Sequence, residues 1–372
     1  MHYLLMLNSF KGTLTSQEAN EIVKDLVLYH DPTANIKEIT IADGGEGTLE
    51  AMSKMIPGFF VMKEVTDLYF QPIKAPLFIS HDHSVAVIEM ASVAGIGLKK
   101  ADMGPDSATT YGVGELMKEA CHYGVKKIMI GCGGSATHDG GAGMMAACGV
   151  NFYNIKHQSF VPTGQTLKDI VSIDFNHIYP KLRDVTCHIL TDVSNPLYGE
   201  HGASYTYAEQ KGADLKMKKM LDEGVMHLAD IIKKTTGKDV AEQPYMGAAG
   251  GLSYGLHVLC DAWISLGIDT ILSFEEARKA ILEADVIITG EGSLDEQSLQ
   301  GKAVMGIIKH AKDHTKIIAL VGQVKGDKKV FMDLGIDEII ETNPNHLPFD
   351  LIKDQAKEMM IEAWHNAMRK RG

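Results

Sequence analysis

Short apolar runs along the chain stop abruptly at polar, glycine-containing segments. Tyr3 to Leu7 is the first run, and its length and lack of alternation predict a buried strand. It ends at Asn8 and Ser9. Thr15 and Glu18 then have capping-box spacing, and Ala19, Ile22, Val23, Leu26 and Val27 fall on one face of a predicted helix. Ile36 to Ile41 predicts a second strand, running into ADGGEGT (42–48) and another helix. Strand, short loop, helix, repeated, points to a mostly parallel sheet covered by helices.

The same grammar returns later. Val85 to Met90, Lys127 to Gly131 and His188 to Thr191 read as strands; the last two end in GCGGSATHDGGAG (131–143) and DVSNPLYGEHGA (192–203). Residues 205–245 read as largely helical, and GAAGGLSYG (247–255) is a further glycine cluster. Ser273 and Glu276 again have capping-box spacing, ahead of a helix to about Glu283. Asp285 to Thr289 is a strand ending in GEGSLDEQSLQGK (290–302), with a helix from about Ala303. Ile317 to Val321 and Ile339–Ile340 are the last strands, and 349–369 predicts a closing helix. Two regular ends around a less regular middle predict an insertion. One α/β domain of Rossmann or flavodoxin type is expected from 1–75 and 283–372, a second α/β domain from 76–282, and a ligand cleft between them.

Composition narrows the class. With 372 residues the chain exceeds one ordinary core, so two domains are expected. The 37 glycines follow no triplet period and cluster locally, which suits tight turns and close backbone approach. A net charge of −12 argues against nucleic acid or an acidic membrane as partner. Five cysteines, odd in number and without close sequence pairs, predict free thiols in a reducing compartment. No signal-peptide pattern opens the chain and no apolar stretch reaches membrane-spanning length, so the cytoplasm is expected.

The chemistry lies where the runs stop. Five apolar runs end in small residues with carboxylates, amides or a lysine: Asn8-Ser9-Lys11, Asp43-Gly44-Gly45-Glu46, Gly133-Gly134-Ser135 with Thr137 and Asp139, Asp192 with Asn195, and Glu291 with Asp295. In an open α/β sheet, ligands bind outside the carboxyl ends of strands. Glycine loops offer backbone N–H groups to phosphate oxygens, and Ser135 and Thr137 add hydroxyl donors. Lys11 suits a phosphate or carboxylate. Asp43, Asp139, Asp192, Glu291 and Asp295 suit Mg²⁺ or a hydroxyl proton. These are the requirements of phosphoryl transfer. Taken singly, each loop reads as well as a plain turn or a helix-packing segment. The P-loop, the complete dinucleotide fingerprint, the protein-kinase motifs, the nucleophile elbow and HExxH are all missing.

Seven blocks in order resemble the bacterial glycerate kinases that are unrelated to P-loop enzymes. They are NSFKGTLTSQEA (8–19), IADGGEGT (41–48), TTYGVGELMKEA (109–120), IGCGGSATHDGGAGMMAACG (130–149), TDVSNPLYGEHGA (191–203), GAAGGLSYGL (247–256) and ITGEGSLDEQSLQGKAVMGI (288–307). The resemblance implies ATP-dependent phosphorylation of D-glycerate with a divalent cation such as Mg²⁺. The product would be 2-phosphoglycerate, ahead of 3-phosphoglycerate. It further implies Asp192, Asp43 and Lys11 as catalytic residues, and Asp43, Asp192 and Glu291 around the metal. Asn8, Ser9, Glu46, Gly133, Gly134, Ser135, Thr137, Asp139, Asn195, Asp295 and Lys302 would hold substrate or phosphate. The chain departs from the family pattern at Asn8, where an aspartate is usual, at Ser293, where an arginine is usual, and at His138, where an asparagine is usual. The alternatives are a kinase for another small hydroxy acid, or a weakly active ligand-binding regulator. The partner expected is a small molecule, without nucleic acid or membrane, and a homodimer is the assembly considered.

Overall fold

A computed structural model describes residues 1–10, 12–295, 298 and 303–370. Its strands, in chain order, are β1 His2–Leu7, β2 Asn35–Glu38, β3 Gly58–Thr66, β4 Pro72–Ser80, β5 Val85–Glu89, β6 Lys127–Gly131, β7 Asn151–Tyr153, β8 Ser159–Phe160, β9 Ser172–Asp174, β10 Thr186–Leu190, β11 Trp263–Ser265, β12 Val286–Gly290, β13 Ser293–Leu294, β14 Lys316–Val321, β15 Gln323–Val324 and β16 Glu338–Glu341. The chain forms two compact units, residues 1–43, 50–55 and 266–372, and residues 44–49 and 56–265. The architecture is the expected α/β one: a Rossmann-like parallel domain from both chain ends, with a second α/β unit inserted.

The first unit carries a five-stranded sheet in the order β16-β14-β12-β1-β2, parallel throughout. Counted by their appearance within this unit, the strands run 2-1-3-4-5, the flavodoxin order. The helix Ser16–His30 opens with the capping box read from the sequence: Glu18 N–H donates to Thr15 Oγ1 at 3.2 Å, and Thr15 N–H donates to the Glu18 carboxylate at 2.8 Å. Its buried Ala19, Ile22, Val23, Leu26 and Val27 join Leu5, Leu7, Ile288, Leu320, Met360 and Trp364 in one core. Each large side chain buried there contributes roughly 1.5–3 kcal/mol.

The inserted unit holds a six-stranded sheet, β11-β10-β6-β5-β4-β3. Strands β5, β6, β10 and β11 are parallel, while β3 and β4 form an antiparallel hairpin added at one edge. The hairpin pairs from Gly58↔Ser80 to Thr66↔Pro72. The sheet therefore begins near residue 56, not 76, because β3 and β4 have ladder partners only here. A small antiparallel sheet, β8-β7-β9, and the helix Leu215–Thr236 complete this unit.

Two local expectations are corrected. Ser273 does not cap a helix: its hydroxyl bonds back to Thr270 O, and the helix Glu275–Glu283 starts from an uncapped Phe274. The closing helix is broken into Phe349–Ile352 and Ala356–Arg369. The glycine cluster GAAGG enters its helix through three consecutive left-handed residues, Ala249, Gly250 and Gly251. The five cysteines are free, as expected. Four of them, Cys121, Cys148, Cys187 and Cys260, lie near one another: a hydrogen bond with Cys187, together with burial, pushes the Cys260 thiol well above the usual thiol range. No helix among the described residues is long and apolar enough to cross a membrane.

Candidate active site

In the first unit the flavodoxin order reverses between β1 and β12, and a crevice for ligands opens at such a point. The register pairs Leu7 with Gly290, which sets Asn8 and Glu291 side by side as the next residues. Both are buried. Asn8 N–H donates to Gly290 O at 2.8 Å, and its side-chain Oδ1 accepts from Ser9 N–H at 2.8 Å. That inward bond shapes the loop. Gly322 N–H donates to Glu291 O at 3.1 Å, tying the β12 end to the β14 end. Asp295 accepts from Ser298 N–H at 3.3 Å. The buried Ser293 hydroxyl has no hydrogen-bond partner among the described residues. The backbone of Asp43 packs against Gly267, where a Cβ would fall 2.3 Å from Ala42 O. Lys11 and Lys302, both expected at the site, lie outside the described residues.

In the inserted unit four of the selected segments meet at the carboxyl ends of the parallel strands. Gly133 N–H donates to Gly44 O at 2.7 Å, and Cys132 N–H to Leu190 O at 3.0 Å. Gly44 has φ +88°, and a Cβ there would sit 2.2 Å from Leu190 O, so only glycine allows this approach. Tyr245 and Gly247 N–H groups donate to Ser194 O and Asn195 O. Gly140 N–H donates to Gly250 O at 3.0 Å. Gly250, at φ +63°, leaves no room for a Cβ, which would lie 2.1 Å from Thr137 O. The glycine clusters of this unit thus knit its loops together.

Two residues expected to bind ligand hold these loops in place. Asp139 is fully buried. Its carboxylate accepts from Thr110 N–H and Oγ1 at 2.8 Å each, Gly141 N–H at 3.0 Å and Gly143 N–H at 3.1 Å. Burial pushes its carboxyl up, against the pull of those four donors. Asn195 is committed at both ends of its amide: Nδ2 donates to His201 O at 2.8 Å, and Oδ1 accepts from Tyr207 OH at 2.6 Å. Asp192 is partly buried, two residues beyond the end of β10.

Two groups, Glu89 and Lys211, escaped the sequence reading. The Glu89 carboxylate accepts from Gly47 and Leu49 N–H at 3.1 Å each, capping the Thr48–Met55 helix from 40 or more residues away. Burial pushes its carboxyl up, and the Glu46 charge adds to this. Lys211 is buried, and its ammonium donates to Ser135 Oγ and Thr137 O at 2.8 Å each. Burial holds it down to about 7. His138, also buried, bonds through Nε2 to Ser204 Oγ at 2.8 Å; burial and Lys211 hold its imidazole down to about 3, so it stays neutral. Only an alternation of apolar and polar residues around Lys211 could have hinted at burial, and the glycine beside it hides any such period.

Among the described residues no three His, Cys, Asp or Glu side chains stand close enough together to bind a metal. The candidates Asp43, Asp192 and Glu291 offer only hard oxygen donors. That suits Mg²⁺, which is characteristically held by one or two carboxylates plus substrate phosphates instead of an all-protein cage.

Two units whose parallel strands end in glycine, hydroxyl and carboxylate loops, one of them in flavodoxin order, define a protein of the α/β, parallel-sheet class. The sequence profile of the Glycerate kinase family matches residues 3–371. A glycerate kinase of Bacillus cereus is 38 % identical over 353 residues, covering 93 % of this chain and 92 % of its own. The glycerate 2-kinase of Escherichia coli is 35 % identical over 341 residues, covering 91 % and 90 %. A crystal structure from Salmonella typhimurium LT2, provisionally assigned as glycerate kinase 2, superposes with a TM-score of 0.80 at 31 % identity, covering 100 % of this chain and 98 % of that one. The chain belongs to the glycerate kinase family and is a kinase.

Proposed function

We propose that the protein transfers the γ-phosphoryl group of ATP to a hydroxyl of D-glycerate, with 2-phosphoglycerate as product. The observation that carries this reading is the β1/β12 switch point, where Asn8 and Glu291 stand side by side within a chain matched almost end to end by the family. In the reaction, the glycerate hydroxyl oxygen forms a bond to the γ-phosphorus while the bond from that phosphorus to the β,γ-bridging oxygen breaks, releasing ADP. Asp192 accepts the hydroxyl proton. The Gly133–Thr137 loop binds an anionic group of a substrate through its N–H groups and Ser135. Asp43, Asp192 and Glu291 are the carboxylates that would hold Mg²⁺, whose charge would offset that of the phosphates. Lys11 and Lys302 are assigned to neutralising substrate anions.

Phosphorus NMR with ATP, Mg²⁺ and D-glycerate, beside L-glycerate, tests the reading. A new phosphomonoester signal coupled to a single methine proton supports 2-phosphoglycerate, and coupling to a methylene pair means 3-phosphoglycerate. No signal from folded protein would refute D-glycerate as acceptor and turn the search to other small hydroxy acids.

A further inference from the structure

The Gly133–Thr137 loop rests on a buried cation. Lys211 is 2 % exposed, and both its recorded acceptors, Ser135 Oγ and Thr137 O, are neutral. The nearby carboxylate, Asp139, has its oxygens occupied by Thr110, Gly141 and Gly143. A buried ammonium without a carboxylate directly on it is costly, and an apolar side chain of similar length would pack there more cheaply. The position is therefore a poor choice for stability alone.

Its effect on Ser135 is specific. A serine oxygen that accepts from an ammonium must turn its own O–H elsewhere. Among the described residues that O–H meets no acceptor. The serine is held in place by a bridge between Gly95 and Ser135 and by Ile96 N–H on Gly134 O at 2.8 Å. The Lys99 ammonium packs over the next residue, where a Cβ on Gly212 would be 2.5 Å from it. Of the titratable groups that bear on Lys211, His138 is neutral and Asp139 already accepts four hydrogen bonds. An anion arriving at Ser135 supplies an opposite charge that favours the charged ammonium.

We infer that Lys211 is a positioning residue. It fixes the Ser135 hydroxyl as a polarised donor to an anionic oxygen of a substrate, either the carboxylate of the acceptor acid or a phosphate of the nucleotide. The inference rests on the kinase reading above, deepening it.

The test is a double-mutant cycle of Lys211→Met and Ser135→Ala in steady-state kinetics, varying each substrate. Each single variant should raise one KM about tenfold with kcat within about threefold of wild type, and the double variant should be no worse than either. A rise in the KM for D-glycerate identifies the carboxylate, and a rise in that for ATP identifies the phosphate. Multiplying effects, or unchanged KM values in folded variants, would overturn the inference. If Lys211→Met does not fold, Lys211→Gln replaces it, keeping an N–H donor without the charge. If wild type makes no product from D-glycerate, the D-glycerate reading fails by itself. Calorimetric affinities for ATP and for D-glycerate alone then decide on Lys211 by the same tenfold criterion.

Discussion

Replacing Lys211 with methionine removes the buried charge while keeping much of the side chain's length and volume. Burial lowers the ammonium from an ordinary 10.5 to about 7. At 1.36 kcal/mol per pH unit, that gap corresponds to a cost of about 5 kcal/mol when the group is charged. Because the folded-state value lies below the unfolded one, the unfolded chain binds more protons between them, and the wild type gains stability as pH rises. Integrated from pH 6 to pH 9, the gain is about 3 kcal/mol. Methionine also strips a donor from Ser135 Oγ and Thr137 O, at roughly 1–3 kcal/mol for each acceptor left unsatisfied, but that loss changes little with pH. The pH dependence therefore isolates the charge. Urea unfolding at pH 6, 7, 8 and 9, followed by far-UV circular dichroism, should show wild type gaining about 3 kcal/mol over Lys211→Met across the series, with matching m-values. A difference that stays flat with pH would refute the reasoning and mean that the ammonium keeps its ordinary ionisation in the fold.

Asp139→Ala should destabilise the protein by about 3–5 kcal/mol in the same urea assay, since four donors lose one buried acceptor; an unchanged midpoint would mean Asp139 is not an anchor. Asp192→Asn should lower kcat by a factor on the order of 10²–10⁴ with an unaltered circular dichroism spectrum, and full turnover would remove it as the proton acceptor. Asn8→Asp places a second carboxylate in register with the buried Glu291. It should lower the melting temperature without Mg²⁺ and recover part of the loss with it. A melting temperature insensitive to Mg²⁺ would separate position 8 from any cation.

How much of this was written in the sequence depends on how far apart the interacting residues lie. The Thr15–Glu18 capping box and the buried strand ahead of it involve near neighbours, and local spacing predicted both correctly. Strand ends tipped with glycine and carboxylates were visible for the same reason, as was the parallel α/β class. Local spacing misled at Ser273, where a matching Glu276 was present but the backbone entered the next helix from Phe274. It could not show that Asp139 and Asn195 are bonded within their own loops, because a carboxylate or an amide looks alike whether it faces a ligand or its own loop. Only the fold shows that Asp139 is saturated by Thr110, 29 residues earlier, as well as by its neighbours Gly141 and Gly143. The tertiary structure alone supplied Lys211, 76 residues from Ser135, and Glu89, 42 from Gly47. Burial is a property of where chain segments meet, and one-dimensional periodicity carries no record of that for a charged residue such as Lys211.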